Sequence, residues 1–167
     1  MRAIILITCF SMFLWGCSTP NKKESQMIEW RLPDKEDVID DWARFNSPNK
    51  IINDFNGDGK QDIAQILLKK NSNIGYIFKV DLSNGGSYIL EQNEKITPQS
   101  IAIELLEPSS EVWESACAKG YWDCVENEIR QFKILKPSIQ FCYIESSCAV
   151  FMWSDRNGDF IKIPISD

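Results

Sequence analysis

The stretch Asp54–Asp62 (DFNGDGKQD) has the residue types and the spacing of a calcium-binding loop. Calcium takes about six to eight oxygen ligands, so a short loop must supply side-chain oxygens from alternate residues. Gly59, at the sixth position, allows the backbone to wrap around the ion. The predicted ligands are the side chains of Asp54, Asn56, Asp58 and Asp62 and the main-chain carbonyl of Lys60. The alternative interpretation is a polar turn without a metal.

The remainder of this loop differs from an EF-hand, which has a hydrophobic residue at position eight and a glutamate at position twelve. This chain has Gln61 and Gln65 there. Residues 54–64, which run directly into a predicted strand, instead resemble the calcium loop of FG-GAP or VCBS repeats in integrin-type propellers. A propeller needs several repeats and this chain has one. The resemblance therefore implies a structural calcium site and no propeller fold.

A broader resemblance relates most of the chain to small bacterial lipoproteins that carry a solitary loop of this kind. It includes the segment ACAKGYWDC at Ala116–Cys124 and the terminal residues Trp153, Phe160, Ser166 and Asp167. This resemblance implies export and implies no activity.

Asp155–Asp159 (DRNGD) repeats the acidic spacing without a glycine at the sixth position or an acid at the ninth. Asn157-Gly158 is typical of a two-residue β-hairpin turn. We therefore predict a hairpin here, with no metal.

Four cysteines in the body of the chain predict two disulfides, because exported chains oxidise their thiols. Three pairings are possible, and sequence proximity favours Cys117–Cys124 and Cys142–Cys148. A four-thiolate zinc site would need closer cysteine pairs. The first disulfide would close a loop that presents Tyr121 and Trp122, which are candidate binding residues because rigid aromatics anchor many interfaces. The alternative is that they fill the end of a β core.

The N-terminus predicts export and lipidation. Residues 1–16 combine a basic start with an apolar run too short to span a bilayer, as in a signal peptide. The run ends in Leu14-Trp15-Gly16-Cys17, which resembles a bacterial lipobox and implies a lipid on Cys17, with Trp15 an unusual residue in that motif. In Gram-negative cells Ser18 is permissive for sorting to the outer membrane, facing the periplasm. An ordinary secretory signal is the alternative, and residues 17–27 form a polar tether.

Composition restricts the function classes. The formal charge of −6 argues against nucleic acid as a partner. The chain has no histidine, which excludes histidine-based nucleophilic catalysis and histidine-ligated metals. We expect a non-enzymatic binding or protective protein of the envelope. The alternative is a module or hydrolase directed at cell-wall carbohydrate through acidic residues.

Hydrophobic periodicity predicts a single α+β, mostly β domain over residues 28–167. Apolar residues spaced by three and four predict an N-terminal helix within Ile28–Phe45, and Trp30, Trp42 and Trp113 are expected in the core or at its edge. Alternation and turn signals predict an antiparallel sheet of about eight strands. The predicted strands are Ile63–Lys70, Tyr76–Leu82, Tyr88–Glu91, Ser100–Leu106, Ile129–Leu135, Ser138–Tyr143, Ala149–Ser154 and Phe160–Ile165.

Overall fold

The computed structural model describes residues 29–167. The predicted signal peptide, the lipidation site Cys17 and the tether 17–27 lie outside the described residues. Within the described part of the chain, no helix is long and apolar enough to cross a membrane.

The predicted N-terminal helix is wrong in its extent. Trp30–Arg31 forms strand β1, Lys35–Asp37 is a single 3-10 turn, and the helix α1 spans only Asp40–Phe45. The backbone is non-helical at Val38 and Ile39, with ψ values of 76° and 174°, and this breaks the predicted helix. Asp34 caps the turn through its bond from the Glu36 amide (2.9 Å).

The position of Trp42 explains why a short helix remains. Its side chain is 1% exposed, and its indole nitrogen donates to the carbonyl of Ile101 at 2.7 Å. The helix ends at Asn46, which adopts a left-handed φ of 50° and donates its N–H to the Trp42 carbonyl. Burial of one aromatic residue therefore positions α1, and Trp30 is buried as well.

The fold is mostly β and antiparallel, as predicted, but its described residues form eleven strands in three sheets in place of one sheet of about eight. Besides β1, the first sheet contains β2 (Lys50–Asn53), β3 (Asp62–Lys69), β4 (Tyr76–Asp81) and β5 (Ser87–Asn93). Its strand order is β1-β3-β4-β5, with β2 also paired to β3.

The remaining strands are β6 (Ile101–Leu106), β7 (Trp113–Glu114), β8 (Gln131–Phe132), β9 (Ser138–Tyr143), β10 (Cys148–Ser154) and β11 (Asp159–Pro164). The second sheet has the order β11-β10-β9-β6, and a third, two-stranded sheet pairs β7 with β8. The strand predicted over Ile129–Leu135 shrinks to β8 because its partner β7 is only two residues long.

The two larger sheets share one hydrophobic core. Phe78 of β4 stacks on Phe141 of β9 with ring centroids 5.4 Å apart, and Phe151 of β10 meets the Phe78 ring edge-on at 5.9 Å. All three rings are buried. Burying one such side chain stabilises the fold by about 1.5–3 kcal/mol, so this cluster holds the two sheets together.

A separate layer covers the other face of the second sheet. Ile134 packs against Val150 of β10 and Ile165, with Trp113 and Phe132 beside them. This layer positions the excursion between β6 and β9, which carries the Cys117–Cys124 disulfide.

Candidate functional site

The acidic loop Asp54–Asp62 joins β2 to β3 within an antiparallel pair, in which Asn53 lies opposite Asp62. The Asp54 carboxylate organises the loop. One of its oxygens accepts the amides of Gly57 (2.7 Å) and Asp58 (3.0 Å), and the other accepts the Gly59 amide (2.8 Å). One side chain therefore satisfies three consecutive backbone donors, as an acidic residue does at a tight turn.

Two glycines make this conformation possible. Gly57 and Gly59 have φ values of 78° and 83°, a region that costs other residues about 1–2 kcal/mol. The glycine predicted to wrap the chain, Gly59, has the required conformation.

The candidate ligands Asn56 and Asp58 lie side by side at the surface, with the Asn56 amide nitrogen 3.3 Å from an Asp58 carboxylate oxygen. The Lys60 amide donates to Asp58 at 2.9 Å, and this bond is the main reason that the pKa of Asp58 is lowered. The ordinary state of this carboxylate is therefore the charged one, which a cation requires.

Asp62 has a structural role that its spacing did not reveal. Its side chain is fully buried, and its two oxygens accept the backbone amides of Phe55 (3.0 Å) and Ser83 (2.9 Å). It thereby ties the acidic loop to the turn that follows β4. The carboxylates of Asp54, Asp58 and Asp62 do not form a group with ligand atoms within 4.8 Å of one another, whereas Cys117, Cys124 and Glu128 do.

Lys136 is a loop contact that sequence reasoning missed. Its ammonium group donates to the Asn56 carbonyl at 2.8 Å and to Asp155 at 2.6 Å. The side chain passes so close to Gly57 that a Cβ there would lie 2.9 Å from the Lys136 Cε. Lys136 is 80 residues from Asn56, so no local pattern could have indicated this contact.

Asp155–Asp159, which we call the second acidic turn, connects β10 to β11 as predicted. Ser154 pairs with Asp159, so the loop contains four residues in place of the predicted two. The Ser154 carbonyl accepts the amides of Asn157 (3.2 Å) and Gly158 (2.8 Å). The bond from Lys136 is the main cause of the lowered pKa of Asp155.

Both predicted disulfides are present in the described chain. Cys117–Cys124 and Cys142–Cys148 have S–S distances of 2.05 Å and 2.03 Å. The sulfurs beside Glu128 are therefore joined to each other, and a thiolate metal site is not available at that cluster.

The segment Cys117–Cys124, called the disulfide loop below, presents the two predicted binding aromatics to solvent. Tyr121 is 52% exposed and Trp122 is 38% exposed. The Trp122 indole donates to Glu128 at 3.1 Å, and Lys119 donates to the Ile165 carbonyl at 2.9 Å. The hydrogen bonds of Lys119 and Trp122 therefore hold the loop in place.

Two further perturbed groups have structural explanations. Arg31 donates two hydrogen bonds to Asp37, which lowers the pKa of Asp37 to about 2. Burial, followed by the Tyr143 hydroxyl at 2.8 Å, raises the pKa of Tyr76. Neighbouring side chains and burial therefore explain both shifts, and the Arg31–Asp37 pair also lines a groove of about 470 Å³.

Comparison of the chain with protein-family models, with curated proteins and with solved structures found no match. Function therefore has to follow from the geometry of the residues themselves.

Proposed function

We propose that this chain is a bacterial envelope lipoprotein, anchored by a lipid on Cys17 and facing the periplasm from the outer membrane. It binds calcium in the acidic loop and acts as a non-enzymatic binding or protective protein for another envelope protein. The observation that carries the binding role is the exposure of Tyr121 and Trp122 on a covalently closed loop.

The disulfide loop has the properties of a preorganised binding surface. Val125 and Ile129, which follow the loop closely in the chain, are also exposed, at 69% and 38%. Ordering a side chain at an interface costs about 0.5–1.5 kcal/mol. The disulfide and the Trp122–Glu128 bond reduce that cost because the loop is already ordered.

A pull-down from envelope extract tests this surface. We expect saturable binding of one envelope protein, weakened by Trp122→Ala by more than about 2 kcal/mol, or roughly 30-fold in Kd. Phe45→Ala is the matched control, because Phe45 is an exposed aromatic residue on the separate helix α1. If the Tyr121→Ala and Trp122→Ala variants retained as much of the envelope protein as the wild type, these residues would not form the binding surface. Binding of cell-wall glycan would favour the carbohydrate alternative.

The acidic loop fits calcium in the chemistry of its donors. Asp54, Asn56 and Asp58 supply hard oxygen atoms, the Lys60 carbonyl is a further candidate donor, and a carboxylate that accepts amide bonds retains further lone pairs. Asp62 keeps the base of the loop in place through its two backbone bonds. When bound, the ion would neutralise the clustered negative charge and order the loop.

Calorimetry and thermal melting of the purified protein test the calcium site. Extracellular sites bind at roughly 10⁻⁴–10⁻³ M, so millimolar calcium adds only about 1–2 kcal/mol. Asp58→Asn keeps an acceptor oxygen for the Lys60 amide but removes the charge, so we expect it to abolish the calcium-dependent increase in melting temperature. Asp159→Asn makes the same change in the second acidic turn and should retain the increase. No heat of binding in the wild type would reduce the loop to a metal-free turn.

Cell fractionation tests the anchor. Cys17→Ser removes the cysteine of the lipobox-like sequence, and we expect the protein to move from the membrane fraction to the soluble fraction. Cys9→Ser is the control within the predicted signal peptide and should leave the protein in the membrane fraction. An unmodified N-terminal peptide in the wild type would contradict lipidation.

A further inference from the structure

The Cys142–Cys148 disulfide lies in a groove that the proposed function does not use. The groove has a volume of about 470 Å³ and is lined by Phe45–Pro48, by Ala102–Glu104 of β6, by residues 142–146 and by Cys148. Both cysteines are half-buried, and Cys148 also lines a second cavity on the side of Trp122. Both residues of this pair therefore border open space, and Cys148 lines a cavity on each of two sides.

We propose that Cys142–Cys148 is a thiol–disulfide exchange site that accepts two electrons from a dithiol, and that this exchange occurs without unfolding of the domain. The site differs from a purely structural disulfide in three respects: the redundancy of the covalent bond, a hydrogen bond to one of the sulfurs, and the groove that leads to the pair.

The covalent bond is redundant because the hairpin is closed without it. Cys142 lies directly opposite Cys148 in the β9–β10 pair. The Tyr143 amide donates to the Ser147 carbonyl at 2.8 Å and the Ser146 amide donates to the Tyr143 carbonyl at 3.0 Å. Pairing of Phe141 with Ala149 continues the ladder. Reduction therefore removes a constraint on a very short loop whose register is already maintained.

The hydrogen bond identifies the leaving sulfur. The side-chain amide of Gln140 donates to the Cys142 Sγ at 3.3 Å. A thiolate of the reductant attacks the Cys148 Sγ, a new S–S bond forms, and the electron pair of the broken bond moves to the Cys142 Sγ. Gln140 stabilises this thiolate until it takes a proton from water. The second thiol of the reductant then attacks the mixed disulfide, so the reductant becomes oxidised and Cys148 is released as a thiol.

The charge of the groove selects the class of reductant. Glu104 and Glu145 line it and are exposed, and among residues 29–167 only the surface residue Arg44 lies within ion-pair distance of Glu145, at 3.4 Å. The chain as a whole has a formal charge of −6. An anionic thiol such as glutathione is therefore disfavoured, and the site suits a neutral or basic segment that carries a dithiol.

The first experiment measures reduction of each disulfide in the purified full-length protein under native conditions. Samples in dithiothreitol are quenched with an alkylating reagent, and the modified cysteines are identified by peptide mass. We expect Cys142 and Cys148 to become alkylated while Cys117 and Cys124 remain oxidised, because Cys117 is only 5% exposed and attack on the half-buried Cys124 would have to expel the buried Cys117 sulfur. The melting transition should persist in the partly reduced protein. The proposal would be overturned if Cys117–Cys124 were reduced first. It would also be overturned if either disulfide were reduced only when the domain unfolds.

Variants and a second reductant test the mechanism. Gln140→Leu should slow native reduction by about three- to tenfold, through loss of one hydrogen bond to the leaving thiolate. Gln92→Leu, an exposed glutamine on β5, is the matched control and should leave the rate unchanged. Neutral 2-mercaptoethanol should form the mixed disulfide faster than glutathione at equal thiolate concentration, and Glu104→Gln with Glu145→Gln should reduce that preference. Equal rates for Gln140→Leu and the wild type would remove Gln140 from the mechanism, and equal rates for the two thiols would remove the selection by charge.

Discussion

The acidic loop and the second acidic turn begin with nearly the same five residues, DFNGD at Asp54–Asp58 and DRNGD at Asp155–Asp159. Their structures differ. In the first, the leading carboxylate accepts three backbone amides, whereas in the second the Ser154 carbonyl closes the turn and Asp155 points to Lys136.

The one residue that differs explains much of this contrast. Phe55 is fully buried in the main core, whereas Arg156 is exposed. Burying Phe55 brings its amide to the carboxylate of Asp62. The loop is therefore fixed by the buried Asp62 as well as by the bonds to Asp54. A short polar motif therefore acquires its conformation from a neighbouring hydrophobic anchor.

The largest expected effect comes from removing that anchor. Phe55→Ala should lower the free energy of unfolding by about 4 kcal/mol, since it leaves a cavity in the core. Arg156→Ala, at the equivalent exposed position, should stay within about 0.5 kcal/mol of the wild type. Urea unfolding measures both, and similar losses would contradict the role assigned to Phe55.

The next largest difference in the free energy of unfolding is expected between variants of Asp54 and Asp155, the first residues of the two turns. Asp54→Ala leaves three amides without their acceptor, and we expect a loss of about 2–3 kcal/mol in urea unfolding because partial exposure allows water to replace some bonds. Asp155→Ala breaks one exposed ion pair and should have no measurable effect. If Asp155→Ala were the more damaging of the two, the carboxylates would not have the distinct roles described here.

The glycines provide a smaller contrast. Gly158→Ala should cost about 1 kcal/mol, because φ is 61° but no other atom lies within 4 Å of the added Cβ. Gly57→Ala should lower the free energy of unfolding by about 2 kcal/mol, because the added Cβ strains the backbone in the same way and also displaces the Lys136 side chain. Thermal unfolding checks the order of the two losses, and Lys136→Ala, which removes the Cδ, Cε and Nζ atoms that the added Cβ would meet, should make them equal.

The smallest effect is electrostatic and concerns the link between the two turns. Both Asp58 and Asp155 have lowered pKa values, the first mainly through the Lys60 amide and the second mainly through Lys136. A lowered folded-state pKa adds stability above the ordinary value of 3.8, and this stability is lost as the pH falls through the folded-state pKa.

Lys136→Met should therefore raise the pKa of Asp155 toward 3.8 and leave that of Asp58 unchanged. Carboxyl NMR titration measures each group separately. A parallel change in both pKa values would show that Lys136 acts on the acidic loop as a whole, and no change in Asp155 would contradict the contact.

Much of the β architecture was predictable from local pattern. Ser138–Tyr143 was predicted to the residue, and six further strands differ from prediction by only one or two residues at an end, because alternation and turn residues act over short distances. The helix failed because burial of Trp42 and capping at Asp34 divide the segment. The candidate site was predicted in its residue types, but the roles of Asp62 and Lys136 were not.

By itself, the sequence determined the antiparallel β character, the two local disulfides and the position of the acidic loop. Each depends on residues close together in the chain. Only the tertiary structure decided that the strands separate into three sheets, that Asp62 turns inward to two backbone amides, and that Lys136 bridges two turns. These features depend on which distant surfaces pack together, and the free energy of that packing is a property of the whole domain.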